Sequence, residues 1–225
     1  MQGFDDLTVV IQAGGESRRM GRSKATVPFL GKPLICRGIH RLAKLSDELV
    51  ITTNEPENLA FTYDLEEVQG KTLILQPDLL ETRGALNGLF TALKTATREY
   101  VAIVACDMIF ASPSLISAEV QALRDDPTLD AVVPVTKSGF EPFHSTYRRA
   151  SSLEKVEAAI AAGQTRANSW FGDASLLEFD QERVLEADPR GGCFMNVNTP
   201  EELARMEERI SGRMMKTIDG SCKDD

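Results

Sequence analysis

The chain has 225 residues, 42% hydrophobic and 26% charged, with a formal net charge of −9. This length allows one large α/β domain or two small ones, and the acidic balance argues against a general nucleic-acid binder, which needs a basic surface to displace counterions. No apolar run approaches the roughly 20 residues that span a bilayer, the acidic start MQGFDDL lacks the parts of a secretory signal, and Cys36, Cys106, Cys193 and Cys222 form no C-x-x-C pair, so the expected compartment is a reducing cytoplasm with no zinc site or disulfide framework.

In chain order, Leu7–Ile11 reads as a strand and Pro33–Leu45 as a helix. Strands follow at Leu49–Thr52 and Thr72–Leu75, then a helix over Gly84–Ala96 with Leu86, Leu89, Phe90 and Leu93 on one stripe. Tyr100–Ala105 is a strong buried strand, and a proline opens the next helix, Pro113 to about Leu123. Ala131–Val135 and Phe143–Arg148 read as strands, and Ser151–Ala162 and Thr199–Ile210 as helices. Uninterrupted apolar strands such as VAIVA imply cover on both faces. The expected fold is therefore α/β, a Rossmann-like doubly wound, mostly parallel sheet with helices on both faces. Residues 1–210 are expected to form one domain and 211–225 a flexible tail without sustained pattern. In such folds ligands sit beyond the carboxyl ends of the strands.

The first strand runs into AGGESRRMGRSK, Ala13 to Lys24, with three glycines and four cations. Arg18, Arg19, Arg22, Lys24 and Lys32 fall in a stretch without an acid, which on an acidic chain suits a small polyanion. The spacing G-x-x-x-x-G-K-[ST] is absent, since the second glycine would fall on Met20; G-x-G-x-x-G is broken by Glu16. The spelling that remains is G-G-x-S-x-R-M-G-x-x-K. Paired glycines let backbone N–H groups approach an anion or a flat base. Arg19 offers a rigid fork to phosphate, Lys24 a compact charge and Ser17 a hydroxyl, while Met20 reads as a packing anchor.

This spelling, with VPFLGKPLI at Val27–Ile35, resembles the opening of the MobA-like nucleotidyltransferases and, within them, the molybdenum cofactor guanylyltransferases. The resemblance implies GMP transfer from GTP to molybdopterin, with Mg²⁺ and release of pyrophosphate. It also implies contact with other cofactor-biosynthesis proteins and recipient molybdoenzymes, with neither nucleic acid nor membrane as partner. ACDMIF, Ala105–Phe110, resembles the family's C-D-x-P-F motif, whose aspartate binds the metal; Ile109 stands where proline is common. Asp107 closes the strongest strand, and a carboxylate there suits Mg²⁺, which prefers oxygen ligands. NVNTPEEL, Asn196–Leu203, is the third match: Thr199 and Glu202 also read as a capping box, while Asn196 and Asn198 precede it and are expected on the metal and acceptor side.

Further residues are carried over position by position. Ala13, Gly14, Gly15, Ser17, Lys24, Asn54, Asp78, Gly84 and Asp107 are expected at the nucleotide, with Asp78 at the guanine. Gly84-Ala85-Leu86-Asn87-Gly88 resembles G-P-L-x-G, with Ala85 in place of proline. EPFHSTYR resembles the acceptor-side strand and offers His144 to the pterin; on residue type alone, a lone strand histidine is more often structural. Arg19, Lys24 and Asp107 are the expected catalytic residues, and Asp107 and Asn198 the expected metal ligands. The rival expectations are a related cytidylyltransferase, acting on molybdopterin or on a sugar or polyol phosphate, and a catalytically silent nucleotide-binding domain.

Overall fold

The computed structural model describes residues 3–14, 23–82 and 84–218, the last seven of these only in the course of their helix. In chain order the elements are β1 (Phe4–Gln12), β2 (Pro28–Phe29), β3 (Lys32–Pro33), α1 (Leu34–Leu42), β4 (Ser46–Thr52), β5 (Thr72–Gln76), α2 (Ala85–Thr95) and β6 (Tyr100–Ala105). Then come α3 (Pro113–Asp125), β7 (Ala131–Thr136), β8 (Gly139–Phe140), β9 (His144–Arg148), α4 (Arg149–Ala161), β10 (Leu176–Phe179), α5 (Gln181–Ala187) and α6 (Pro200–Ile218).

The main sheet has the order β10-β7-β9-β6-β1-β4-β5, with β8 paired to β7. β1, β4, β5 and β6 are parallel, whereas β9 pairs antiparallel with both β6 and β7. Alternation of side chains sends each central strand into two cores. Val9 and Ile11 of β1 pack with Ile35 and Ile39 of α1 and Leu115 and Ile116 of α3. Val10, between them, packs on the other face with Leu86, Leu89 and Leu93 of α2 and Val156 of α4. Val101 and Ile103 of β6 share that second core, while Ala102 and Val104 share the first. This division is the doubly wound arrangement expected from the continuous apolar runs.

A third, smaller core gathers Val27, Phe29, Leu34, Ile109, Val197 and Leu203. These residues come from three separate parts of the chain, and each part carries a residue of the site described below. The hairpin β2–β3 turns at Leu30 and Gly31, both with positive φ (50° and 79°), as a two-residue hairpin with a primed turn requires.

Two expectations need correction. The last helix continues to Ile218, eight residues past its expected end; Arg, Met and Lys sustain a helix without a repeating apolar stripe. β10 and α5 have no counterpart in the sequence reading. Four residues and seven residues are too short for a periodicity to register. α5 is nevertheless well marked by its cap, since the Asp180 side chain accepts from the Arg183 amide at 3.0 Å.

Candidate active site

The register of the four parallel strands sets the site. Gln12 of β1 lies opposite Thr52 of β4 and Ala105 of β6, and Thr52 lies opposite Gln76 of β5. These four residues mark one line across the carboxyl edge of the sheet. Two residues beyond them along each strand come Gly14, Asn54, Asp107 and Asp78. The order across the edge is thus Asp107, Gly14, Asn54, Asp78, spread over three inter-strand spacings, or about 14 Å.

At the β6 end, three segments remote in sequence converge. Lys24 Nζ donates to Asp107 Oδ2 at 2.6 Å and to Asn198 Oδ1 at 2.8 Å. Lys24 and Asp107 keep side-chain exposures of 20% and 17%, so the pair is accessible yet partly desolvated, where charge interactions exceed those of the open surface. Asp107 is fixed through its backbone, whose carbonyl accepts from Val197 N at 3.2 Å, and Met108 bridges to Asn196. The capping box of α6 adds a second hold. Glu202 Oε2 accepts from the amides of Asn198 (2.7 Å) and Thr199 (3.3 Å), and Thr199 Oγ1 accepts from Glu202 N at 3.1 Å. The cap expected from sequence therefore also positions Asn198. Beneath the cluster, Ile109 is buried among Val27, Phe29, Leu34, Val197 and Leu203. Its side chain ties the Asp107 turn to the segments carrying Lys24 and Asn198.

A carboxylate and a carboxamide oxygen thus meet one positive charge. Hard oxygen donors are the set that Mg²⁺ accepts, and their common approach to a cation fits a divalent ion there. Among the described residues no cluster of three or more His, Cys, Asp or Glu forms a metal cage. Such an ion would draw its other ligands from water and from phosphate, as Mg²⁺ commonly does.

At the β5 end, Asn54 and Asp78 pair reciprocally. Asn54 Nδ2 donates to Asp78 Oδ2 at 2.8 Å, and the Asp78 amide donates to Asn54 Oδ1 at 3.0 Å. The other carboxylate oxygen faces Gly14, where an added Cβ would stand 4.0 Å from Asp78 Oδ1. The Ala13 amide donates to Thr52 O at 2.8 Å, extending the β1–β4 ladder and fixing the backbone next to Gly14. The segment after Asp78 is tied to α2: Leu79 N donates to Thr91 Oγ1 at 3.1 Å, and Asn87 Nδ2 to Thr82 Oγ1 at 2.8 Å. Asn87, read as one letter of a motif, is a buried tether.

Gly84 lies at the N-terminus of α2, where an added Cβ would meet Thr165 O at 3.1 Å. Its close approach is to that loop, whose Thr165 carbonyl accepts from Leu86 N. Gly88 leaves room for the Gln12 carboxamide, since a Cβ there would run into Gln12 Nε2.

His144 departs from expectation. It is 0% exposed, its Nε2 accepts from Ser112 N at 3.0 Å, and its ring meets Phe194 edge-on with centroids 5.4 Å apart. Its Nδ1 lies 3.9 Å from Glu119 Oε1. A ring enclosed on all sides offers nothing to an acceptor molecule, so His144 is a core residue. Gly15, Ser17 and Arg19, together with Arg18, Met20 and Arg22, lie outside the described residues. Burial, with the Asp107 charge adding to it, pushes the Cys106 thiol up to about 12, so this neighbour of Asp107 stays protonated and is no nucleophile.

Sequence reasoning missed Arg37 and Arg41, which reach from α1 to the carbonyls of Ile109, Phe110 and Ala111. The available signal was two arginines four residues apart on a helix whose other residues, His40 apart, are Leu, Ile, Cys and Gly.

The family model described as "MobA-like NTP transferase domain" matches residues 9–181. The molybdenum cofactor guanylyltransferase of Desulfosudis oleivorans is 32% identical over 94% of this chain and 100% of its own length. A protein of Natranaerobius thermophilus named "Probable molybdenum cofactor guanylyltransferase" is also 32% identical, over 92% of this chain and 97% of its own. Among solved structures, molybdopterin-guanine dinucleotide biosynthesis protein A from Archaeoglobus fulgidus superposes with a TM-score of 0.74. It has 24% identity and covers 91% of this chain and 99% of that one, a likeness of fold.

Proposed function

Because the chain belongs to the MobA-like NTP transferase family, we propose that it transfers GMP from GTP to the phosphate of molybdopterin, releasing pyrophosphate and forming a guanine dinucleotide cofactor. The observation that carries the chemistry is the junction of Lys24, Asp107 and Asn198 at the carboxyl edge of β6. An oxygen of the acceptor phosphate forms a new bond to the α-phosphorus, and the bond from that phosphorus to the bridging oxygen of the β-phosphate breaks. The attacking phosphate already carries its charge, so no side-chain nucleophile is required. What the protein must supply is positioning and neutralisation of charge.

Lys24 supplies a positive charge to the triphosphate, alongside Arg19 from the loop. Asp107, with Asn198, would hold Mg²⁺, which when bound supplies further neutralisation of the α-phosphate and the leaving group. Asp107 also orients Lys24 through their hydrogen bond. At the far end, Asn54 fixes the Asp78 carboxylate beside Gly14. A guanine presents two adjacent N–H donors on its pairing edge, and a fixed carboxylate accepts both; a cytosine presents an acceptor there. This complementarity supports the choice of GTP. Asn196, exposed beside the cluster, is assigned to the acceptor side. Residues 1–210 act as one domain in this reading, since Val27 and Leu203 share one small core. No described helix is long and apolar enough to cross a membrane.

The test is incubation with molybdopterin, Mg²⁺ and each nucleoside triphosphate in turn, following pyrophosphate and the dinucleotide product. One pyrophosphate per guanine dinucleotide, with GTP alone, is the expected result. Turnover with CTP in place of GTP, or nucleotide binding without turnover, would overturn the proposal.

A further inference from the structure

Three successive carbonyls follow the turn at Asp107, and helix α1 answers all of them. Arg37 Nε donates to Ile109 O at 2.8 Å. Arg41, one helical turn on, donates from Nε to Ala111 O at 2.6 Å and from Nη2 to Phe110 O at 3.4 Å. The Arg37 guanidinium also lies over two rings, 5.6 Å from the centroid of Phe29 and 5.5 Å from that of Phe110. Phe29 belongs to the segment that carries Lys24, and Phe110 to the turn that carries Asp107. One side chain therefore spans the two parts of the chain whose charged groups must meet.

Stability alone does not account for this arrangement. Among the described residues neither arginine forms a salt bridge with a carboxylate; burial disfavours the charge on both, and the Asp188 carboxylate offsets this only in part for Arg41. A partly buried cation that holds only backbone carbonyls is a costly way to gain stability. It is an effective way to fix a turn, because the planar fork has a defined direction and stacks on aromatic faces. A turn that carries a reactive carboxylate benefits from such fixing, since displacement of a catalytic group by an ångström is enough to lower turnover about 10²-fold.

We propose that Arg37 is a positioning residue for the transfer reaction: it sets the Asp107 turn against the Lys24 segment, so that carboxylate, ammonium and metal ion keep one geometry. Arg41 is the second hold on the same turn. The proposal rests on the reading of Asp107 as a residue of the transfer site. Loss of Arg37 acts through Asp107 and leaves the base end, beyond β4 and β5, untouched.

A double-mutant cycle of Arg37→Met and Asp107→Asn tests it, with turnover of GTP and molybdopterin as one readout. The second is the affinity for Mn²⁺ in the presence of GTP, read from the free-ion electron paramagnetic resonance signal. Arg37→Met is expected to lower turnover and weaken Mn²⁺ binding each by about 10-fold to 100-fold, the range found for outer-shell partners of metal ligands, while GTP binding without metal stays near wild type. In the Asp107→Asn background the same substitution should add nothing, because residues acting through one group are not additive. Multiplying effects, or a wild-type Arg37→Met beside a crippled Asp107→Asn, would overturn the positioning role alone. Unimpaired transfer by Asp107→Asn would overturn the site reading, and this role with it. If Arg37→Met fails to fold, Arg37→Lys keeps the stem and charge but lacks the fork, and it should show the same non-additive loss in milder form.

Discussion

The two ends of the sheet edge are built differently. Asn54 and Asp78 stand just past the ends of two neighbouring strands and hold each other through a reciprocal pair of hydrogen bonds, a local device that follows directly from the register of β4 and β5. Lys24, Asp107 and Asn198 come from remote parts of the chain, share a small core, and are further braced by a capping box and two arginines. The difference teaches where accuracy is needed. Recognising a base requires complementary donors and acceptors, whereas stabilising a transferring phosphoryl group requires charges fixed where charge develops.

Breaking the charged end should give the largest effect. Asp107→Asn and Lys24→Met should each lower kcat by about 10² to 10³, the loss typical of a single electrostatic stabiliser. Steady-state pyrophosphate release checks this, and a wild-type rate in either variant would erase the contrast. At the base end, Asp78→Asn removes a charged acceptor and should raise KM for GTP by about 10-fold to 100-fold, from the roughly 1.5–3 kcal/mol of a charge-assisted hydrogen bond. It should also narrow the preference for GTP over CTP, with kcat much less affected.

Smaller effects sharpen the same contrast through the packing beneath. Ile109→Ala empties part of the third core and should cost about 2–5 kcal/mol of stability, measured by urea unfolding, with a fall in kcat larger than the rise in KM. The smallest effect concerns the core behind the site. Burial raises the Glu119 carboxyl above its ordinary value, so the folded state holds that proton more tightly than the unfolded state. The stabilisation this gives is present at low pH and is lost as pH rises through the folded value. Glu119→Gln should accordingly stabilise the protein relative to wild type by an amount that grows as pH rises above the ordinary carboxylate range. A pH-independent difference in thermal midpoint would contradict this.

Much of this organisation was legible in the sequence. Continuous apolar strands implied a sheet covered on both faces, and the place of Asp107 at the end of the strongest strand put it at the carboxyl edge. Gly14, Asn54 and Asp78 were legible only through the family resemblance, and all three lie two residues past the same line across the sheet. What the sequence could not show was depth and direction. His144 lies on a strand suited to an acceptor contact, but its 0% exposure follows from how α3 and Phe194 close over it. Ile109 breaks a family spelling, and only packing reveals that it joins three segments. Arg37 and Arg41 stand four residues apart on one helix, but nothing local to that spacing shows that they bond backbone carbonyls about seventy residues away.

The division of labour along the edge is the central claim. It is tested most directly by measuring kcat and KM for GTP, and the rate with CTP, in Asp107→Asn and Asp78→Asn side by side. The account predicts a crossed result: Asp107→Asn loses kcat and keeps its preference for GTP, whereas Asp78→Asn keeps most of kcat and loses that preference. If both variants lose the same parameter to the same degree, the two ends do not have separate tasks.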